Sequence, residues 1–122
     1  MIIDHIRDEK EFKRLYDERP MPRPYDYNWL IQNPCLYCFY DEETGKLRGF
    51  ITVQIENGEL TLSGVSVRKN MSDNIQAIIT VCDSFDDDMY AYTPLRHAGL
   101  VLKKAGFIHL KNDKYVRYKN GQ

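Results

Sequence analysis

The sequence has no excess of positive charge: its 17 lysines and arginines meet 18 aspartates and glutamates, a formal net charge of −1. A polyanion held by counterion release needs a net positive field, so nucleic acid is not an expected partner. Long apolar runs are missing as well. No stretch approaches the roughly 20 residues of a membrane span, and Met1-Ile2-Ile3-Asp4-His5 is polar where a secretion signal carries its apolar run. The expectation is a cytoplasmic protein with no membrane partner. Cysteine is scarce and odd in number (Cys35, Cys38 and Cys82), which argues against a disulfide framework. Cys35 and Cys38 form a C-x-x-C. They stand in Cys35-Leu-Tyr-Cys-Phe-Tyr40, which reads as a buried strand and not as the turn or helix start of a redox or zinc pair. No second ligand pair accompanies them, so the pair reads as structural and no metal site is expected.

What is present is ordinary globular material: 122 residues, 43% hydrophobic and 29% charged, enough for one core and one domain over residues 1–122. Ile2, Ile3 and Ile6 read as a short strand. Asp8 and Glu11 have the spacing of a reciprocal capping box, and Phe12, Leu15 and Tyr16 then mark the apolar stripe of a helix that ends before Pro20. The segment Pro20-Met-Pro-Arg-Pro24 is irregular by composition, and Tyr25 to Asn33 reads as a short helix stopping before Pro34. Cys35 to Tyr40 and the run Leu47, Gly49, Ile51, Val53, Ile55 make a hairpin across Asp41 to Lys46.

Asn57-Gly58 marks a second hairpin, because both residues tolerate the positive φ of a type I′ turn. In the following strand the inward residues are Leu60 and Leu62, yet beyond Gly64 they become Val65 and Val67. One extra residue restores that phase, so a β-bulge is expected near Gly64. Asp73 with Gln76 offers a capping pair for a helix striped by Ile75, Ile78, Ile79 and Cys82. Met89 to Tyr92 reads as a strand, Thr93-Pro94 as N-cap and first residue of a last long helix, Gly106 as its left-handed C-cap, and two strands flank Lys111-Asn-Asp113.

This order of elements resembles the GNAT (Gcn5-related N-acetyltransferase) superfamily over essentially the whole chain. Three stretches carry the resemblance: Leu60-Thr-Leu-Ser-Gly-Val-Ser-Val67 as the bulged strand, Arg68-Lys69-Asn70-Met71-Ser72-Asp73 as the pyrophosphate loop, and Leu95-Arg-His-Ala98 through Leu102-Lys-Lys-Ala-Gly-Phe107 as the ending. The implied fold is a mixed, mainly antiparallel sheet flanked by helices, with a bulged central strand parting from the parallel Met89–Tyr92 strand. The implied cofactor is acetyl-CoA, weakly held. By the resemblance Gly64, Val65 and Val67 receive the pantetheine arm, and Arg68, Asn70, Ser72, Asp73 and Asn74 the diphosphate at a helix N-terminus. The family's two loop glycines are replaced by Met71 and Asp73, and its general-acid tyrosine by Leu102.

Acetyl transfer to an amine needs a route for the amine proton and an acid or oxyanion site for the thioester. Tyr90 and Tyr92 lie on the strand beside the cleft, with one of them expected to point into it, and Tyr92 is the candidate acid. Glu59 and His97 are weighed as bases against readings as a solvated strand-end charge and an exposed capping residue. Trp29, Tyr25 and Tyr27 stand where the family forms its acceptor wall, with a core or lid role without any ligand as the alternative. The acceptor would be an unidentified amine or protein partner. Compact size and the altered loop also resemble GNAT-like proteins of tailed phages, and the competing reading is a catalytically inactive interaction or virion protein. Lys103, Lys104, Lys111, Lys114, Arg117 and Lys119 make the C-terminal end basic while Asp86-Asp-Asp88 is acidic, read either as solvated faces or as a docking surface for a partner.

Overall fold

Capping chemistry starts the first helix: the Asp8 side chain accepts from the Lys10 and Glu11 amides, and the helix runs Glu9–Glu18 (α1). The computed structural model describes residues 1–19, 21, 25–66 and 71–120. Before α1 lies β1 (Ile2–Asp4); after it come α2 (Tyr27–Gln32), β2 (Leu36–Tyr40), β3 (Leu47–Glu56), β4 (Glu59–Ser66), α3 (Met71–Asp83), β5 (Met89–Tyr92), α4 (Arg96–Lys104), β6 (Ile108–Lys111) and β7 (Lys114–Arg117). The seven strands follow the order β1-β2-β3-β4-β5-β7-β6. Described pairings are antiparallel except β4 with β5, whose parallel ladder joins Thr61 to Tyr90 and Leu62 to Ala91. Asn57 and Gly58 both have positive φ (52° and 77°), as a type I′ turn between β3 and β4 requires.

The chain divides into two compact units, Met1–Thr52 with Ser63–Lys69, and Val53–Leu62 with Asn70–Gln122. In the first, Phe12 and Phe50 are both fully buried with ring centroids 4.8 Å apart. Leu15, Met21, Leu30, Leu36, Cys38, Tyr40 and Leu47 complete that core. Polar groups inside it serve the backbone. Tyr40 Oη accepts from the Arg7 amide at 2.9 Å and donates to the His5 carbonyl at 3.2 Å. The expected capping box is only half made: Glu11 does not return to Asp8 but accepts from the Leu47 amide at 3.0 Å, so its carboxylate ties α1 to β3. The alternating reading of β3 also gives way. Gly49 through Val53 are all buried, as in a strand covered on both faces, while Ile55 is 74% exposed. Cys35 falls one residue outside β2 and is partly exposed, whereas Cys38 is buried, so the two thiols are not presented together.

In the second unit Ala77, Ile78, Val81 and Cys82 are the buried residues of α3, so the stripe is rotated from the expected Ile75 and Ile79. The helix begins by Met71, which puts Asp73 within its first turn and not at a cap, and Gln76 donates to Thr80 Oγ1 instead of closing a capping pair. In β4 the buried neighbours are Thr61 and Leu62, with Leu60 only partly covered. The last helix starts later than expected. Thr93 Oγ1 accepts from the Leu95 amide in a local turn, and Leu95 stands at the N-cap without a side-chain bond. Its other end ends as the sequence suggested: Gly106 has φ +98°, its amide donates to the Lys103 carbonyl, and Phe107 N donates to the Leu102 carbonyl. This is a Schellman cap, with Leu102 and Phe107 as its buried apolar pair.

Candidate functional site

The candidate acid sits on a short strand whose neighbours fix its direction. On β7, Tyr115 and Arg117 face the helices: Tyr115 Oη lies 2.3 Å from where a Cβ on Gly99 would stand, and Arg117 donates to the Ala105 carbonyl and pairs with Asp83. Pleating then turns Lys114 and Val116 to the opposite face, and the register sets Tyr92 across from Lys114 and Tyr90 across from Val116. Tyr90 and Tyr92, two residues apart, therefore share one face; the expectation that only one of them would point there does not hold. Met89 and Ala91 take the buried side.

Glu59, at the start of β4, completes the group. Tyr92 Oη donates to Glu59 Oε1 at 2.9 Å and Lys114 Nζ donates to Glu59 Oε2 at 2.8 Å. Both side chains of the ion pair are about a quarter exposed, at 25% and 27%. Glu59 is thus a bridging acceptor and not a solvated strand-end charge. The ammonium of Lys114 also lies 4.8 Å from the Tyr90 ring centroid and 5.8 Å from that of Tyr92. Hydrogen bonds from Lys114 and then Tyr92 hold the Glu59 carboxyl below its ordinary range. A carboxylate so stabilised is a poor base. Desolvation, with the bond to Glu59, pushes the Tyr92 phenol up, so it keeps its proton through the neutral range and has it to donate. The bond to Lys114 was not legible beforehand, because residue 114 lies 55 positions from Glu59.

The expected cofactor residues are met separately. Gly64 is a point of close backbone approach: a Cβ there would come within 2.7 Å of the Phe50 carbonyl oxygen and 3.2 Å of Ile51 Cγ1. Val65 presents its carbonyl oxygen 2.4 Å from where a Cβ on Gly49 would stand, so this pair of strands tolerates only glycine at both points. The expected bulge near Gly64 falls on the β3–β4 pairing, which lies outside the described pairings; those that are described shift register between Phe39 and Tyr40 and between His109 and Lys111. Ser72 is exposed, with Asp73 and Asn74 partly buried, in the first turns of α3. Val67, Arg68 and Asn70 lie outside the described residues. Of the remaining candidates, His97 is exposed on α4. Trp29 is 42% exposed and stacks on Tyr25 at 5.2 Å, while the buried hydroxyl of Tyr27 has no partner among the described residues. Leu102, in the position of the absent tyrosine, is 6% exposed.

No protein-family model and no curated protein matches the sequence. Among solved structures, a chain described as "Crystal structure of the NatC complex bound to Gag peptide and CoA" matches with a TM-score of 0.64 and 17% identity, over 94% of this chain and 93% of that chain. The fold is GNAT-like. At that identity the likeness speaks for the fold alone. The phage resemblance gains no support from it. In this GNAT-like chain no helix among the described residues is long and apolar enough to cross a membrane.

Proposed function

We propose that this chain is an acyl-CoA-dependent N-acetyltransferase acting on an amine of a peptide or protein. The observation that supports it most is the β4–β5 ladder, parallel and held to two positions, leading along the chain into α3. Parallel strands that are paired over a short stretch and then part can direct backbone donors at a ligand, the means by which a thioester carbonyl is oriented and its oxyanion stabilised. The GNAT-like chain that matches is described as part of a complex with CoA and a peptide, which agrees with a cofactor and acceptor of these classes. On this reading Gly64, Val65 and Val67 take the pantetheine, and Arg68, Asn70, Ser72, Asp73 and Asn74 the diphosphate. As the acceptor nitrogen bonds to the acetyl carbon and the thioester C–S bond breaks, Tyr92 would give its proton to the departing thiolate, and the proton released by the nitrogen would return through solvent to the phenolate. The Tyr92 proton would leave from a hydroxyl already bonded to Glu59, so transfer is slow and carried chiefly by positioning.

Isothermal calorimetry with acetyl-CoA and desulfo-CoA, followed by turnover on a panel of peptide amines, tests the reading. Binding with measurable turnover, lowered about 10²–10⁴-fold in Tyr92→Phe, is the expected result. Binding without turnover on any amine would favour the second reading, a GNAT-like interaction protein. The buried Leu102 in place of the usual acid is the observation on that side. Full activity in Tyr92→Phe would remove the acid assignment alone.

A further inference from the structure

β6 ends the strand order, and β7 is its partner among the described residues. All four of its residues are exposed, including Ile108 at 47% and Leu110 at 44%. Between His109 and Lys111 the register advances two residues on β6 against one on β7, so Leu110 is the extra residue of a bulge and its backbone is left out of the ladder. An edge of this kind offers a row of free N–H and C=O groups with apolar side chains beside them.

The charges around it that lack an ion pair are mainly positive, with Asp113, exposed in the turn after β6, as the acidic exception. Of the six basic residues at this end of the chain, Lys114 is neutralised by Glu59, Arg117 by Asp83 and Lys119 by Asp86. Lys103 and Lys104, in the last turn of α4, and Lys111, in β6 itself, have no ion pair among the described residues. Only residues 105–107 separate that turn from β6, and the helix and strand are in contact. We infer that the β6 edge is a docking strip for an acidic, extended segment of a partner protein, which adds a strand to β6 and sets its carboxylates against Lys103, Lys104 and Lys111. A second copy of the chain is a poor occupant. Pairing two β6 edges would gather the unpaired lysines of both copies, a like-charge arrangement that disfavours self-association.

The test uses an eight-residue fluorescent peptide alternating glutamate and valine, N-terminally blocked so that it offers no α-amine for acetylation. Its controls are a lysine–valine peptide and a glutamate–valine peptide N-methylated at alternate amides. Fluorescence anisotropy should give saturable binding that weakens with salt, at least tenfold loss in Lys103→Glu/Lys111→Glu, and similar loss with the methylated peptide. Binding should be the same in Tyr92→Phe and with CoA added, so the docking strip stands or falls apart from the transferase reading. The proposal is overturned by equal affinity for the lysine peptide, by indifference to the charge reversals, or by no binding at millimolar peptide. A dimer in sedimentation that Leu110→Pro dissolves would give the edge to a second copy instead.

Discussion

Tyr40 and Tyr92 both end a strand with a hydrogen-bonded hydroxyl, and the difference between them separates a tyrosine that holds the fold from one placed to react. Tyr40 is 1% exposed and serves two backbone groups, the Arg7 amide and the His5 carbonyl; burial pushes its phenol up to about 12. Nothing about it responds to the solvent. Tyr92 is partly exposed, donates to a carboxylate, and lies near an ammonium that the same carboxylate binds. Its partners titrate, so its own proton affinity is adjustable from outside. The first hydroxyl is spent on the backbone of its own unit, and the second meets the charged side chains of Glu59 and Lys114 on one strand face.

The largest effect expected is in the first unit. Phe50→Ala, at a fully buried ring packed on Phe12, should cost about 3–5 kcal/mol in urea denaturation, whereas Ile108→Ala on the β6 edge should stay within about 0.5 kcal/mol. Comparable losses at the two positions would show that β6 is covered. Next comes Gly99→Ala in the second unit. Its Cβ would stand 2.3 Å from the Tyr115 hydroxyl and 3.0 Å from Tyr115 Cζ, an overpacking expected to cost about 1–3 kcal/mol and to be partly relieved by adding Tyr115→Phe.

Of similar size at one position and smaller at the other is the pair aimed at the tyrosines themselves, Tyr40→Phe and Tyr92→Phe. Removing the Tyr40 hydroxyl strands a buried amide and a carbonyl, a loss of about 1–3 kcal/mol. Removing that of Tyr92 leaves Glu59 still bound to Lys114, and should cost about 1 kcal/mol or less while lowering any acetyl transfer. If thermal melts rank the two the other way, Tyr92 is a structural residue and the contrast fails.

The sequence disclosed the features governed by local rules. The Asn57-Gly58 turn, the Gly106 cap and the Asp8 cap are each decided by two or three neighbouring residues, and each stands where expected. Starts of helices were less legible. At α4, Thr93 bonds the Leu95 amide in its own turn, a competing use of the same side chain, and the helix begins at Arg96. Glu11 found a better acceptor role on β3 than in its own capping box. Of the candidate site, Tyr92 and Gly64 could be singled out, but the Glu59–Lys114 bridge could not, since it depends on β4, β5 and β7 being neighbours. Tyr90 and Tyr92 share a face because residues two apart on a strand point the same way.

The smallest effect expected is on the acid limb of stability, and it contrasts two carboxylates. Glu59 is held below its ordinary range chiefly by Lys114, Asp41 chiefly by the Thr44 and Glu43 amides. In both cases the folded state prefers the ionised form. Each contribution is therefore fully present above the ordinary carboxylate value of about 4, and is lost as pH falls through the depressed folded value. Lys114 is raised by the same bond, so its share is present below the ordinary lysine value of about 10.4 and is lost only as pH rises through the higher folded value. Thermal melts from pH 2 to 6 should show a flatter acid limb in both Glu59→Gln and Asp41→Asn. Salt then separates them. The Glu59 bridge is a partly exposed ion pair, screened over about 3 Å at 1 M; Asp41 also pairs with Arg48 at 3.5 Å, but its leading bonds, from the Thr44 and Glu43 amides at 2.9 Å, involve no mobile cation. In 1 M salt the Glu59→Gln and wild-type limbs should converge, and the larger part of the Asp41→Asn difference should persist. If the Glu59 difference survives salt unchanged, the bridge to Lys114 is not what holds that carboxylate, and the Tyr92 bond takes its place as the dominant cause.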